Sequence, residues 1–385
     1  MTLHDVAVVG AGPAGACAAG RLAEAGARVV LLEKHSLPRY KTCGGGVVER
    51  ALAGLPPVVR GAVEATIVER PCHVAEIHLR DERLRFVTRR RRPVISMVMR
   101  DQFDRALVAA AERAGAEVRP QCEVGDVTLG EDRVDLATPS GAVAARFVVA
   151  ADGATSLMAR RAGWPEPRRC APGLEAEVSV DDVDLARFAE AARFDFGVIP
   201  AGYGWVFPKG THLSIGVATT WRGGVNLHVC LARYLDTLGL ARPRRVEKHG
   251  FLIPLVPRRE GAMRGRVLLV GDAAGLADPL TGEGISAAIE SGSLAARAIQ
   301  EGRGDPARVA ARYDEGLAAL RRELRIARVL ARITYDLPRL RRWVFRTCGQ
   351  LVSEGVTDIL MGHRTYASVM SRAKTYAILL GLRKR

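Results

Sequence analysis

Gly10, Gly12 and Gly15 stand in GxGxxG spacing inside VAVVGAGPAGACAAGRLAEAGARVVLLEK, and Glu33 follows Gly15 by 18 residues. Residues of these types at this spacing can hold a pyrophosphate. The first glycine allows a tight turn, the second lets backbone approach the phosphates, and the third brings helix close to strand. Pro13 and Ala14 lie among them at the helix start, where the positive end of the helix dipole meets an anion. Glu33, followed by Lys34, is placed to accept hydrogen bonds from a ribose diol.

Further reactive positions lie downstream. PRYKTCGGGVVERAL carries the thiol of Cys43 beside Gly44, Gly45 and Gly46, which permit backbone conformations that other residues resist, so the loop can pass close to a flat ligand. Cys43 is a candidate proton donor or pocket residue; its plainer reading is a small buried hydrophobe. Gly271-Asp272 ends an apolar run, Val267 to Val270, with a carboxylate placed for a sugar-like hydroxyl. The run TGEGISAAIESG then puts Gly282 and Gly284 before a helix that includes Ile285. Its N–H groups and dipole can face a developing negative charge, although an ordinary loop and helix would look similar. In IPAGYGWVFPKG, Tyr203, Trp205 and Phe207 recur at every second position in a chain that is only 5% aromatic. Alternate residues of a strand share one face, so three rings can line an apolar wall or fill a core.

The elements that must position these residues can be read in outline. Val6 to Val9, Ala14 to Ala25 and Arg28 to Leu32 predict strand, helix and strand. HVAEIHL, LRFVT and PVISMVM, within residues 72–99, predict further strands. Asp101 is a candidate cap for a helix to about Ala114, with Phe103, Leu107 and Val108 as its apolar stripe. Strands follow around Val124 to Leu129, Arg133 to Ala137 and Phe147 to Ala150, leading into AADGATS. Between Cys170 and Pro257, EAEVSV, RFDFGVI, YGWVFP and HLSIGVATT predict antiparallel strands, the last two joined by a turn at Lys209 and Gly210. The chain is thus read as α/β. A Rossmann-like domain in discontinuous segments (1–70, 100–165 and 265–302) carries an inserted antiparallel sheet for substrate (71–99 and 166–264), and residues 303–385 form a basic helical region.

Composition narrows the function further. With 385 residues, 48% of them hydrophobic, the chain can bury a substantial core. The formal charge of +15 comes almost wholly from arginine, and residues 303–385 hold 18 Lys and Arg against 7 Asp and Glu, a net of +11. RRELRIARVLARITYDLPRLRRWVFRTCGQLV mixes Leu, Ile, Val and Trp343 with Arg321, Arg322, Arg325, Arg328, Arg332, Arg339, Arg341 and Arg342. Basic amphipathic helices of this kind settle on anionic bilayers; a solvated helical face is the alternative. Seven cysteines include no CxxC pair and no zinc-like cluster, which predicts a reduced, cytosolic chain without structural metal. No leader is evident and no apolar run approaches a spanning length. The expected location is cytoplasmic, peripheral on the inner face of a membrane.

Taken in order, GxGxxG with Glu33, the ADG at Ala151 to Gly153 and the GD at Gly271-Asp272 resemble the three FAD fingerprints of the p-hydroxybenzoate hydroxylase group. Within it, YKTCGGG, YGWVFPKG and DPLTGEGISAAIESG resemble the geranylgeranyl reductase family, over about residues 3–300. The resemblance implies extended FAD, with Gly10, Gly12, Gly15 and Glu33 on the ADP half and Arg100 near the phosphates. It implies Asp152 in the fingerprint contacting both domains, Asp272 at the ribitol or pyrophosphate, and Gly282, Gly284 and Ile285 under the isoalloxazine. Tyr203, Trp205 and Phe207 would then face a polyprenyl chain. The reaction implied is reduction of its carbon–carbon double bonds by hydride from flavin N5, with Cys43, or else Tyr203, supplying the proton.

Only one βαβ nucleotide signature is present, so the electron source, NAD(P)H, ferredoxin or another donor protein, stays open. The alternatives are a flavin monooxygenase of aromatic or polyketide substrates, and a basic nucleic-acid binder that keeps FAD as a structural element. No nucleic acid is expected as partner.

Overall fold

The computed structural model describes residues 2–166, 170–240 and 243–371. The last part of the predicted basic region, residues 372–385, lies outside them. Short runs of Val, Leu and Ala, buried on both faces, make a parallel sheet. In it Leu3–Val9 lies between Gly141–Ala150 and Val29–Leu32, with Val267–Leu269 and Glu117–Arg119 beyond them. Because these strands run the same way, their carboxyl ends open on one edge. Val9 delivers Gly10, Leu32 delivers Glu33, Ala150 delivers Asp152 and Leu269 delivers Gly271-Asp272. A crevice at that edge is where ligands of parallel α/β sheets bind.

The helix Pro13–Glu24 packs against Arg100–Arg113 and Ile285–Gly302. Its contact with the latter is backbone-close, since a Cβ on Gly292 would stand 2.2 Å from the Ala14 carbonyl oxygen. Asp101 is not the cap of Arg100–Arg113. Met99 holds that place, and the Asp101 carboxylate accepts from the Gln102 N–H at 2.8 Å. The strand predicted at Phe147 to Ala150 begins at Gly141, and its first half pairs with the hairpin of Asp126–Leu129 and Val134–Thr138.

The second sheet has seven strands in the order Arg245–Pro254, Cys170–Ser179, Leu213–Thr219, Gly202–Pro208, Ala191–Phe196, Val74–Leu79, Leu84–Arg89. All pairs are antiparallel except Ala191–Phe196 with Val74–Leu79, where the chain returns after a long excursion. Strand alternation splits its two faces. Gly204 and Val206 face Tyr234 of the helix Leu227–Thr237, whereas Trp205 and Phe207 pack toward the dinucleotide domain. The third piece expected at 72–99 sits elsewhere: Ile95–Val98 pairs with Gly46–Val48 and Val68–Cys72 in a small sheet. Arg245–Pro254 escaped prediction because it is an edge strand, half in solvent, and its polar first half lacks a clean period.

The C-terminal part forms Pro306–Asp336, a helix of 31 residues, and Pro338–Leu360, which bends at the non-helical Cys348. Pro338 separates them, and Tyr366–Met370 follows. No helix among the described residues is long and apolar enough to cross a membrane.

Candidate active site

One cavity of about 970 Å³ joins the carboxyl edge of the parallel sheet to the inner face of the second sheet. It is at the upper end of the range for small-molecule sites. Gly10, Gly12, Pro13 and Ala14 line its first end together with Glu33 and Lys34. Gly15 does not line it. A Cβ there would stand 2.0 Å from the Gly10 carbonyl oxygen, so this glycine lets the helix seat behind the turn. Gly10 itself adopts φ +101° and lies so close to Ala151 that a Cβ would meet its carbonyl at 2.5 Å. Glu33 accepts from the Ala11 N–H at 3.0 Å and the His35 N–H at 3.1 Å, which aims its carboxylate at the turn. Arg39, which the motifs did not flag, pairs with Glu33 at 3.2 Å and with Asp104 at 3.0 Å.

Arg100, Asp152, Gly271 and Asp272 line the middle of the cavity. Arg100 is held by two bonds to Asp104, at 2.9 and 3.0 Å. Asp152 accepts from the Ser156 hydroxyl at 2.5 Å and the Met158 N–H at 2.9 Å. Burial raises its carboxyl above the ordinary range, and these two donors pull it back. Burial raises Asp272 likewise, against the charges of Lys41 and Arg100.

Gly282, Gly284 and Ile285 form the far wall. The loop that carries them is tied inward by its own Asp278, whose Oδ1 accepts from the Leu280 and Thr281 N–H groups at 2.8 and 3.1 Å. Three tyrosines from distant parts of the chain grip it as well. Tyr203 donates to the Thr281 carbonyl at 2.7 Å, Tyr335 to the Leu280 carbonyl at 2.5 Å and Tyr366 to Asp278 at 2.8 Å. The Tyr203 hydroxyl is therefore committed to a carbonyl, and burial pushes its phenol pKa up.

Cys43, Gly44 and Gly45 line the cavity opposite this loop. The glycines are needed on the loop's protein side. A Cβ on Gly44 would stand 2.9 Å from Trp205 Nε1 and from a Phe207 ring carbon, and one on Gly45, at φ +67°, 2.1 Å from Lys209 Nζ. The Cys43 sulfur accepts from the Gly45 N–H at 3.4 Å.

From the loop a file of rings leads away. Phe207 to Trp205, Trp205 to Tyr203, Tyr203 to Tyr335, Tyr335 to Phe196 and Phe196 to Phe345 follow at centroid distances of 6.4, 6.1, 6.5, 6.1 and 6.2 Å. Tyr203, Trp205 and Phe207 thus do both things weighed above: they are largely buried and they line the cavity. The C-terminal helices close this end with Tyr335, Phe345, Val352, Val356 and Leu360, residues absent from the sequence-based site. Their only sequence signal is a helical stripe, which marks a buried face without saying what it covers. Those five side chains are all uncharged.

The residues fit FAD. The helix Pro13–Glu24 opens at Gly12 with no side chain capping its first turn; Ile285–Gly302 opens at Gly284, where the Glu283 carboxylate accepts from the Ser286 N–H at 2.7 Å. Trp205 lines the cavity, and its Nε1 is a buried donor with no partner among the described residues.

The FAD binding domain family matches residues 4–214. Fold and site together define a FAD-dependent oxidoreductase. The digeranylgeranylglycerophospholipid reductase 2 of Methanothermobacter thermautotrophicus is 33% identical over 341 residues, covering 81% of this chain and 82% of that protein. The menaquinone reductase of Mycobacterium tuberculosis is 30% identical over 350 residues, covering 83% and 82%. Among solved structures, a geranylgeranyl bacteriochlorophyll reductase-like protein of Thermoplasma acidophilum matches 98% of this chain and 100% of its own, with TM-score 0.78. At 24% identity, that is a likeness of fold. The chain belongs to the geranylgeranyl reductase group of this family.

Proposed function

We propose that the protein reduces carbon–carbon double bonds in the prenyl chain of a lipid. The observation that carries this reading is one continuous cavity, which passes from the Cys43 loop to an end where the described residues are rings and aliphatic side chains. Burying one isoprene unit there is worth about 4 kcal/mol at ~0.8 kcal/mol per carbon. An end where the described residues offer no cation would leave a charged head group outside, so the chain enters tail first. The phospholipid and menaquinone named for the two relatives both fit that mode.

FAD, when bound, supplies the hydride from its N5 atom, and a donor protein or a nicotinamide supplies its electrons. The turns at Gly10 and Gly271 and the carboxylates of Glu33, Asp152 and Asp272 orient it. Tyr203, Trp205 and Phe207 hold the chain against it and keep water out. The Cys43 thiol gives a proton to the second carbon, so the product gains two hydrogens. Cys43 suits this better than Tyr203, whose hydroxyl already donates to Thr281.

A monooxygenase acting on a phenol would need polar groups at the ring-lined end. Two of its hydroxyls, of Tyr203 and Tyr335, are instead spent on backbone carbonyls.

The turn between the two long C-terminal helices suits contact with an anionic bilayer. Leu337, Leu340 and Trp343 are 49%, 37% and 47% exposed there, beside the exposed Arg332, Arg339 and Arg342. Some of the arginines expected on that face do structural work: Arg341 is buried against Asp81 at 3.0 Å, Arg342 pairs with Glu82 at 2.9 Å, and Arg321 pairs with Asp314. A cytoplasmic protein resting on the inner face of a membrane is the location this implies.

Anaerobic incubation of the dithionite-reduced protein with prenyl lipids tests the reaction by mass spectrometry. Gains of two hydrogens per double bond are the expected result. Unchanged lipids, or gains of one oxygen when air is admitted, would overturn it.

A further inference from the structure

The Cys43 loop is held from behind by a side chain that the motifs leave unassigned. Lys209 follows the aromatic strand at a hairpin turn, where a lysine ordinarily reaches water, yet it is only 1% exposed. Its Nζ donates to the Gly44 carbonyl at 2.8 Å and to the Val98 carbonyl at 2.7 Å. The missing side chain of Gly45 is what lets it approach, and the Val98 N–H donates back to the Gly45 carbonyl at 2.9 Å.

Burial lowers the pKa of this ammonium, and the negative charges of Glu177, Glu175 and Glu69 oppose that shift. Glu175 is fully buried; one oxygen accepts from the Ser214 hydroxyl at 2.6 Å and the other has no partner among the described residues. Burial first, and then the charge of Glu177, push its carboxyl up to about 7. Glu177 meets His212 Nε2 at 2.9 Å and the Tyr40 hydroxyl at 3.5 Å, and His249 stands directly across the sheet from Glu175. Desolvating an ammonium costs several kcal/mol even when its partners are good. Here that cost is borne to fix two backbone carbonyls, one of them belonging to the residue after Cys43.

We propose that Lys209 is a positioning residue: its buried ammonium anchors the Gly44 carbonyl and so sets where the Cys43 thiol stands in the cavity. This rests on the reductase reading for what the thiol does, though not for where it stands.

The test is alkylation of the FAD-loaded protein by N-ethylmaleimide, followed peptide by peptide. Rates are compared at one fixed pH for every protein, and Cys230, on the helix that covers the other face of the second sheet, serves as internal reference. Lys209→Met is expected to raise the Cys43 rate about tenfold, the equivalent of losing one hydrogen bond to a charged group, with Cys230 unchanged. The rate of chain reduction should fall while KM holds, since substrate touches the rings and not the lysine.

A lysine that only stabilised the fold would lower the melting temperature and leave Cys43 at its wild-type rate. If the single variant does not fold, Lys209→Met with Glu175→Gln removes cation and carboxylate together, which is better tolerated than leaving one unpaired. The same rise is expected there. A wild-type Cys43 rate in either folded variant overturns the proposal. A raised rate in a protein whose wild type reduces no prenyl chain would leave the placement standing and sink the reductase reading instead.

Discussion

The two ends of the cavity are built in opposite ways. At the cofactor end much of the wall is backbone: Gly10 and Gly271 just past strand ends, Gly12 and Gly284 at helix starts and Gly282 in the loop before the second helix, with the carboxylates of Glu33, Asp152 and Asp272 also just past strand ends. At the ring-lined end the walls are side chains, drawn from the second sheet and from both long C-terminal helices. The first end is local chemistry repeated four times along one sheet edge. The second exists only when distant elements meet. A cofactor site can be specified by short motifs, whereas an apolar cavity needs only volume and burial and so carries no motif of its own.

Substitutions at the two ends should therefore fail differently. The largest effect is expected from Gly15→Val, whose Cβ has no room beside the Gly10 carbonyl, 2.0 Å away. The protein should lose its flavin on purification or fail to fold, and a normal flavin-to-protein absorbance ratio would break the assignment of that turn.

Next is Glu175→Gln, behind the loop that divides the two ends. The Glu175 carboxyl titrates at about 7 in the folded protein against an ordinary 4.5. The folded state therefore binds the proton more tightly than the unfolded one, and stability falls as pH rises from about 4.5 to about 7, then levels off. The shift corresponds to a loss on the order of 3 kcal/mol. Melting temperatures at pH 5 and pH 8 should differ less in the glutamine variant than in the wild type, and an equal difference would remove Glu175 from the account.

Val356→Trp, which fills the ring-lined end, should keep its flavin while turnover of long prenyl chains drops about tenfold or more, the usual overpacking cost of 1–3 kcal/mol being felt by the substrate. Undiminished turnover would mean the chain binds elsewhere. The smallest effect belongs to the turn between the two long C-terminal helices. Replacing Leu340 and Trp343 by alanine should weaken binding to anionic vesicles by about tenfold, roughly one partly inserted large side chain, with activity on detergent-dispersed substrate unchanged.

The same contrast explains how much could be read in advance. Gly10, Gly12, Glu33 and Gly271-Asp272 were legible because strand, turn and helix coincide within a few residues, and the parallel sheet then brings them together. Tyr203, Trp205 and Phe207 were legible because a period of two marks one face of a strand. Tyr335, Phe345 and Val356 were not, since a helical stripe looks the same over a core as over a ligand. Lys209 was hidden for a different reason. A lysine after a proline and before a glycine reads as a turn, and only the packing of the Cys43 loop shows that it is buried. The cationic face was overestimated because composition counts arginines without showing their partners, such as Asp81 for Arg341.

The most direct test of a cavity shared by flavin and prenyl chain is single-turnover reoxidation without oxygen. When the anaerobically reduced, FAD-loaded protein is mixed with an unsaturated prenyl lipid, the yellow absorbance of oxidised flavin should return in proportion to the double bonds consumed. The saturated counterpart should leave it bleached. If only oxygen restores the colour, the two ends of this cavity do not work on one substrate.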